Sequence, residues 1–167
     1  MRNLSEREFD IKYQIYKDIV YNIAYSYVRN REDALDVSQD VFIKYLKSND
    51  EFKTLDNEKY WLIRVTINTA KNYLSSSWKK KVTIDSDYLE KISSDSDKKE
   101  SISYYNAITN LPSKYKDVIV LFYYENLKLE EIAQTLNVSV SCVKKRLERG
   151  REKIKMEVEH GQLWRED

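Results

Sequence analysis

Two stretches of this 167-residue chain segregate charge in a way that suits a polyanion. From Trp61 to Ile84 there is no acidic residue, while Arg64, Lys71, Lys79, Lys80 and Lys81 are basic and Trp61, Tyr73 and Trp78 supply rings between them. From Lys144 to Lys155, Lys144, Lys145, Arg146, Arg149, Arg151, Lys153 and Lys155 stand against only Glu148 and Glu152. Basic side chains neutralise phosphates and aromatic faces stack on bases, so each stretch is a candidate nucleic-acid footprint. In the first, Asn68 and Asn72 lie four residues apart, which on a helix puts both amides on one face and within reach of one base edge. A third cluster has the opposite sign. Asp33, Asp36 and Asp40 recur at i, i+3 and i+7, a spacing that predicts an exposed carboxylate stripe suited to a basic protein surface rather than to DNA.

Other chemistries have no support in the sequence. No nucleophile paired with a base, Gly-rich phosphate loop or metal-ligand cluster occurs, so no enzymatic activity, cofactor, metal or small-molecule substrate is expected. One cysteine, Cys142, and one histidine, His160, exclude a disulfide framework and an ordinary Cys/His zinc site within one chain. Met1 to Asp10 carries charge without an apolar run, and no later stretch approaches the ~20 apolar residues of a membrane span, so a cytoplasmic protein is expected. The formal net charge is only +1 although 34% of residues are charged. Affinity for DNA must then come from local patches, as in a protein that meets DNA alongside a larger partner.

The elements that must position these groups are helical. Two glycines and one proline leave few positions for the tight turns of a β fold. Ser5 and Glu8 form a capping-box pattern ahead of Phe9, Tyr13, Tyr16, Val20, Ile23 and Tyr27, which predicts a first helix ending near Asn30. Asn30 can cap a second helix to about Lys47, with Leu35, Phe42 and Leu46 turned inward. Asp56 can cap a third to about Ser75, with Ile63, Ile67, Ala70 and Leu74 at core spacing. Between Val82 and Glu100 the composition turns to Ser, Asp and Lys, as in a flexible linker. The prediction is all-α, with two small helical domains over residues 1–81 and 101–167 joined by a tether over 82–100.

In the second domain a helix from Ser101 to Asn110 is halted by Pro112 and followed by helices over Ser113–Asn126, Leu129–Leu136 and Ser139 to about Glu159. The segment LEEIAQTLNVSVSCVKKRLERG has the pattern of a helix-turn-helix. Small Ala133 permits close helix approach, Asn137 tolerates a left-handed turn, and Val143 anchors the second helix. The start of that helix would bring Ser139, Ser141, Cys142, Lys144 and Lys145 to base edges or phosphates, with Arg149 placed to pair with a guanine.

Beyond these local patterns, D-V-S-Q-D-V-F at Asp36–Phe42 and W-L-I-R-V-T-I-N-T-A-K-N-Y-L at Trp61–Leu74 closely resemble region 2 of extracytoplasmic-function (ECF) sigma factors of the sigma-70 family. L-P-S-K-Y-K-D-V-I-V-L at Leu111–Leu121 and E-E-I-A at Glu130–Ala133 resemble their region 4. The resemblance implies a factor that directs RNA polymerase to promoters through upstream (−35) and start-proximal (−10) elements. A stand-alone helix-turn-helix regulator is the rival reading.

The resemblance also implies partners and roles. The acidic second helix, through Asp36, Gln39 and Asp40 with Asp33 in the same stripe, would dock on the clamp coiled coil of the polymerase largest subunit, with the flap as a further contact. Phe52, Ile63, Val65, Asn68, Lys71 and Asn72 would hold a flipped base of the melted promoter, with Lys79, Lys80 and Lys81 alongside. Flipping costs a few kcal/mol of stacking that such contacts offset. An anti-sigma partner, often membrane-anchored, is implied as well. The chain departs from the family pattern at Cys142, Lys145 and Glu148, which bears on its upstream sequence; Glu148 could accept from a cytosine amino group or orient Arg149.

Overall fold

The computed structural model describes residues 2–76 and 104–160, and among these residues all regular structure is helical. The chain divides into two compact units, Met1–Ile84 and Asp85–Asp167. The expected linker, and the basic run Lys79, Lys80 and Lys81, lie outside the described residues.

The first unit contains α1 (Glu6–Val28), α2 (Arg31–Lys47) and α3 (Leu55–Ser76). The capping box forms as predicted: the Ser5 hydroxyl accepts from the Glu8 N–H and the Glu8 carboxylate accepts from the Ser5 N–H. Arg29 ends α1 in the left-handed region at φ 55°, and extended Asn30 then caps α2 by accepting from the Asp33 N–H. Two residues thus turn the chain, the Arg29 N–H bonding back to the Tyr25 carbonyl and Asn30 satisfying one orphan donor of α2. Thr54, not Asp56, caps α3, its hydroxyl accepting from the Asn57 N–H.

Val20, Ile23 and Ala24 of α1, Ala34, Val37 and Val41 of α2, and Leu62, Ile63 and Ile67 of α3 are out of solvent. Each of the larger aliphatics stabilises the bundle by ~1.5–3 kcal/mol relative to exposure. The inward face of α2 is therefore rotated from the predicted one: Leu35 is 52% exposed, and Ala34, Val37, Val41 and Tyr45 form the core face with Phe42. At the heart of the bundle Glu58 accepts from the Tyr16 hydroxyl (2.9 Å), the Tyr45 hydroxyl (2.6 Å) and the Lys12 ammonium (2.7 Å), so one carboxylate ties all three helices. Burial opposes its charge, yet these three donors outweigh burial and hold the carboxyl below its ordinary value.

In the second unit residues 104–109 are helical (α4), and α5 (Ser113–Ile119) starts after Pro112. The predicted continuation of α5 to Asn126 is replaced by a π-helical segment, Val120–Tyr124, in which the Glu125 N–H bonds back five residues to Val120. Asn126 then takes a left-handed φ of 54° and Leu127 bonds back to Leu121, which closes the segment. α6 (Leu129–Leu136) and α7 (Val140–His160) follow. Asn137 sits in the left-handed region at φ 56°, and the Ser139 hydroxyl accepts from the Cys142 N–H at the start of α7. Ile132, Ala133, Val143 and Leu147 are buried at the α6–α7 crossing.

Candidate polymerase and nucleic-acid interfaces

On α2 the outward face carries Asp36, Gln39 and Asp40, all exposed, flanked by the exposed apolar side chains of Leu35 and Ile43. Carboxylates and an amide beside two aliphatic groups can meet a basic, partly apolar helix surface. Asp33 does not belong to this face. It is 8% exposed and accepts a 2.6 Å hydrogen bond from the Tyr73 hydroxyl of α3, so the expected stripe is shortened to residues after the first turn. A carboxylate near a helix N-terminus is favoured by the backbone dipole, and here it faces inward toward a phenol.

On α3, Trp61, Val65, Asn68 and Asn72 follow at helical steps along one flank. Asn68 and Asn72 are exposed, Val65 and Lys71 half-buried, and the Lys71 ammonium lies 6.0 Å from the centre of the Tyr27 ring. Phe52 packs at the other end of this flank, 5.7 Å from Trp61 between ring centres, with the Arg2 guanidinium 4.3 Å above its ring. The flank can therefore present amides, an aromatic edge and cations to an unpaired base. Ile63 points the other way. It is fully buried in the three-helix core, so it supports α3 and cannot touch a base.

In the second unit the structure brings Ser139, Ser141, Cys142, Lys145 and Arg149 around one recess of about 340 Å³, together with Lys114, Tyr115 and Arg146. Lys144 and Glu148 are exposed beside it. Among the described residues four cationic side chains and no carboxylate line the recess, which makes it suited to a phosphate-bearing surface. The cationic side chains of Arg149 and, to a lesser degree, Lys114 favour the ionised Tyr115 phenol against the opposing effect of burial and hold its pKa below the ordinary value. Lys114 and Tyr115 were not among the expected site residues, because they precede the helix-turn-helix by a full helix. Their spacing from Pro112 carries no separate signal.

The signature of sigma-70 region 2 matches residues 13–80, and that of sigma-70 region 4 matches residues 101–154. The sigma factor SigV of Bacillus subtilis is 33% identical over 134 residues, spanning 80% of this chain and 81% of that protein. This chain is a sigma factor of the sigma-70 family, of the ECF type. The ECF sigma factor SigW of Bacillus subtilis is 31% identical over 86% of the chain and 85% of its own length, and the ECF sigma-E factor of Escherichia coli K12 is 28% identical over 92% and 88%. The fold of CnrH, solved in complex with the cytosolic domain of CnrY, superposes with a TM-score of 0.70 at 21% identity, covering 93% of this sigma factor and 90% of that chain. The sigma factor RpoE of Bartonella quintana, solved with the anti-sigma factor NepR, gives 0.62 at 18% identity, covering 91% and 96%. The α2 and α3 surfaces thus fall in sigma region 2 and the recess in sigma region 4. A stand-alone regulator is not favoured by these relationships. Sigma factors as a family are not enzymes, and no described helix of this one is long and apolar enough to cross a membrane.

Proposed function

We propose that this sigma factor divides promoter recognition between its two units while mounted on core RNA polymerase in the cytoplasm. Residues 1–81 dock on the clamp coiled coil through Asp36, Gln39 and Asp40 and hold an unpaired base of the start-proximal element against Phe52, Val65, Asn68, Lys71 and Asn72. Residues 101–167 read the upstream element through Ser139, Ser141, Cys142, Lys144, Lys145, Glu148 and Arg149, and the segment 82–100 is the tether between them. Core polymerase supplies catalysis, with its flap as a further contact.

The observation that carries this reading is the division of chemistry within one bundle. The outward face of α2 is acidic and apolar, and the flank of α3 bears amides and cations. One surface suits a protein helix and the other a nucleic-acid strand, and both are built on the same three-helix core. An anti-sigma partner is part of the proposal, because both solved relatives named above were captured with one or with the cytosolic domain of a second protein.

The test is run-off transcription of genomic DNA by core polymerase with and without the chain. New start sites sharing a two-part upstream motif are expected. Strong sequence-specific footprints by the chain alone, with no new starts when polymerase is added, would overturn the proposal.

A further inference from the structure

We propose that Arg2 is a positioning residue for base capture: its guanidinium ties the loop between α2 and α3 to the end of α2 and fixes the Phe52 ring in the orientation from which it meets an unpaired base. This role rests on the reading of Phe52 as part of the base pocket, and adds to that pocket a residue remote in sequence that sets discrimination without touching the nucleic acid.

Residues 48–54 are not helical, and Phe52 lies among them, half-buried, so that part of its ring stays open to a base. Local bonds hold the two ends of this loop. The Ser48 N–H bonds back to the Lys44 and Tyr45 carbonyls, the Ser48 hydroxyl donates to the Asp50 carboxylate at 2.8 Å, and Thr54 caps α3. A ring on an irregular segment samples several orientations unless something restrains it, and that freedom is lost when a base stacks on it.

Arg2 supplies the restraint from outside the loop. Its backbone N–H donates to the Leu46 carbonyl at 2.9 Å, its Nε to the Tyr45 carbonyl at 3.0 Å and its Nη2 to the Asp50 carbonyl at 2.7 Å, so one residue bridges the last turn of α2 and the loop. Carbonyls at a helix C-terminus are short of donors and carry the negative end of the backbone dipole, which favours a cation there. The same guanidinium lies over two rings, its central carbon 4.5 Å from the centre of Tyr45 and 4.3 Å from that of Phe52. Tyr45 is 1% exposed and its hydroxyl donates to Glu58, so that ring belongs to the core. Phe52 is thereby registered against the core through Arg2 as well as through Trp61, 5.7 Å away between ring centres. A lysine could bring the charge, but not the planar fork that donates to two carbonyls while lying over two rings. A ring held in place before the base arrives gives up less freedom on stacking, and adapts less to a wrong base.

Holoenzyme reconstituted from core polymerase and the full chain is tested on a promoter carrying every single base change across its start-proximal element. The chains compared are wild type, Phe52→Ala, Arg2→Ala, Arg2→Lys and the double variant of Arg2→Ala with Phe52→Ala. Phe52→Ala should flatten discrimination at one position by about 5- to 150-fold, the worth of a stacked base. Arg2→Ala should reduce discrimination at that same position by roughly 3- to 10-fold, with discrimination across the upstream element and retention on core polymerase unchanged. Arg2→Lys should not restore it. The double variant should be no worse at that position than Phe52→Ala, because Arg2 acts through that ring. Full rescue by Arg2→Lys would mean that Arg2 acts as a charge on the nucleic acid; additive losses in the double variant, or equal losses at every position, would mean that it acts on something other than the ring. Each of these overturns the proposal, as does a Phe52→Ala loss at one position that Arg2→Ala leaves intact. If Phe52→Ala flattens no position, the assignment of Phe52 to the base pocket fails and the proposal with it.

Discussion

The carboxylate of Asp33 accepts a 2.6 Å hydrogen bond from the hydroxyl of Tyr73, tying the first turn of α2 to the end of α3. This bond, with partial burial, pushes the phenol up to about 12. It joins the helix proposed to grip polymerase to the helix proposed to hold the melted strand, and a second link runs from the Lys44 ammonium to the Thr69 hydroxyl at 2.9 Å. Tyr73→Phe and Asp33→Ala should each lower the stability of the first unit by about 1–3 kcal/mol, since each leaves a shielded polar partner short of a bond. Hydrogen-exchange protection of the Val20 and Leu62 amides measures this. The double variant should cost less than the sum of the singles; additive losses would mean the two groups do not act as a pair.

Glu58 links stability to pH with a definite sign. Burial alone would raise its pKa, but donation from Lys12, Tyr45 and Tyr16 outweighs burial and leaves it below the ordinary 4.5. A group depressed in the folded state stabilises above its unfolded pKa and loses that contribution as pH falls through the folded value. The first unit should hold its stability through neutral pH and weaken below the ordinary carboxyl range. Glu58→Gln should cost about 1.5–3 kcal/mol at neutral pH, because the Lys12 ammonium loses its charged partner. The gap between variant and wild type should narrow on acidification to about pH 3; a gap that stays constant would show that the Glu58 charge plays no part.

What could be read from residues alone was what local chemistry dictates. The capping box of Ser5 and Glu8, the cap at Asn30, the left-handed turn at Asn137 and the cap at Ser139 all rest on contacts within a few residues, and all form. One local expectation failed, since Thr54 rather than Asp56 caps α3, but the failures that bear on the site involve partners remote in sequence. Asp33 was expected among exposed carboxylates because its phenol partner is 40 residues away. The inward face of α2 was misjudged because apolar residues occur on two sides of it, and Leu35 and Ile43 remain outside with no signal in the helix itself to separate them from the core. Ile63 was placed both in the core spacing and at the base pocket, and the packing of α3 against α1 and α2 decides for the core. The π-helical segment after Ile119 has no local mark at all, since its closure depends on Asn126 and on the fit of Leu121 and Leu127.

Gly150 tests the tightness of the α5–α7 crossing. In an open helix, Gly→Ala gains up to ~1 kcal/mol. Here the new methyl would lie 3.1 and 3.3 Å from Ile119 Cγ1 and Cδ1, and Ile119, 1% exposed, would have to shift within a packed interior to admit it. Overpacking of this kind costs ~1–3 kcal/mol, so Gly150→Ala should be net destabilising by about 1 kcal/mol in chemical denaturation of the second unit. Adding Ile119→Ala should remove the steric part of that loss. A Gly150→Ala chain more stable than wild type would show that the helices have slack at this point.

The two faces of the first unit should separate by mutation, because Asn68 and Asn72 are exposed on α3 while Asp36 and Asp40 are exposed on α2. Asn68→Ala removes an amide without disturbing the core, so co-purification with core polymerase should be unchanged while transcription from a cognate promoter falls by roughly 5- to 10-fold, the worth of a hydrogen bond or two to an exposed base. Asp36→Lys with Asp40→Lys should do the reverse, weakening retention on core polymerase, most visibly at low salt where charge complementarity counts most. Transcription lost by Asn68→Ala should persist on a template already mismatched open across the start site if the amide captures the base, and should be rescued there if the amide only assists melting. Loss of polymerase retention in Asn68→Ala would show that the α3 flank belongs to the protein interface instead.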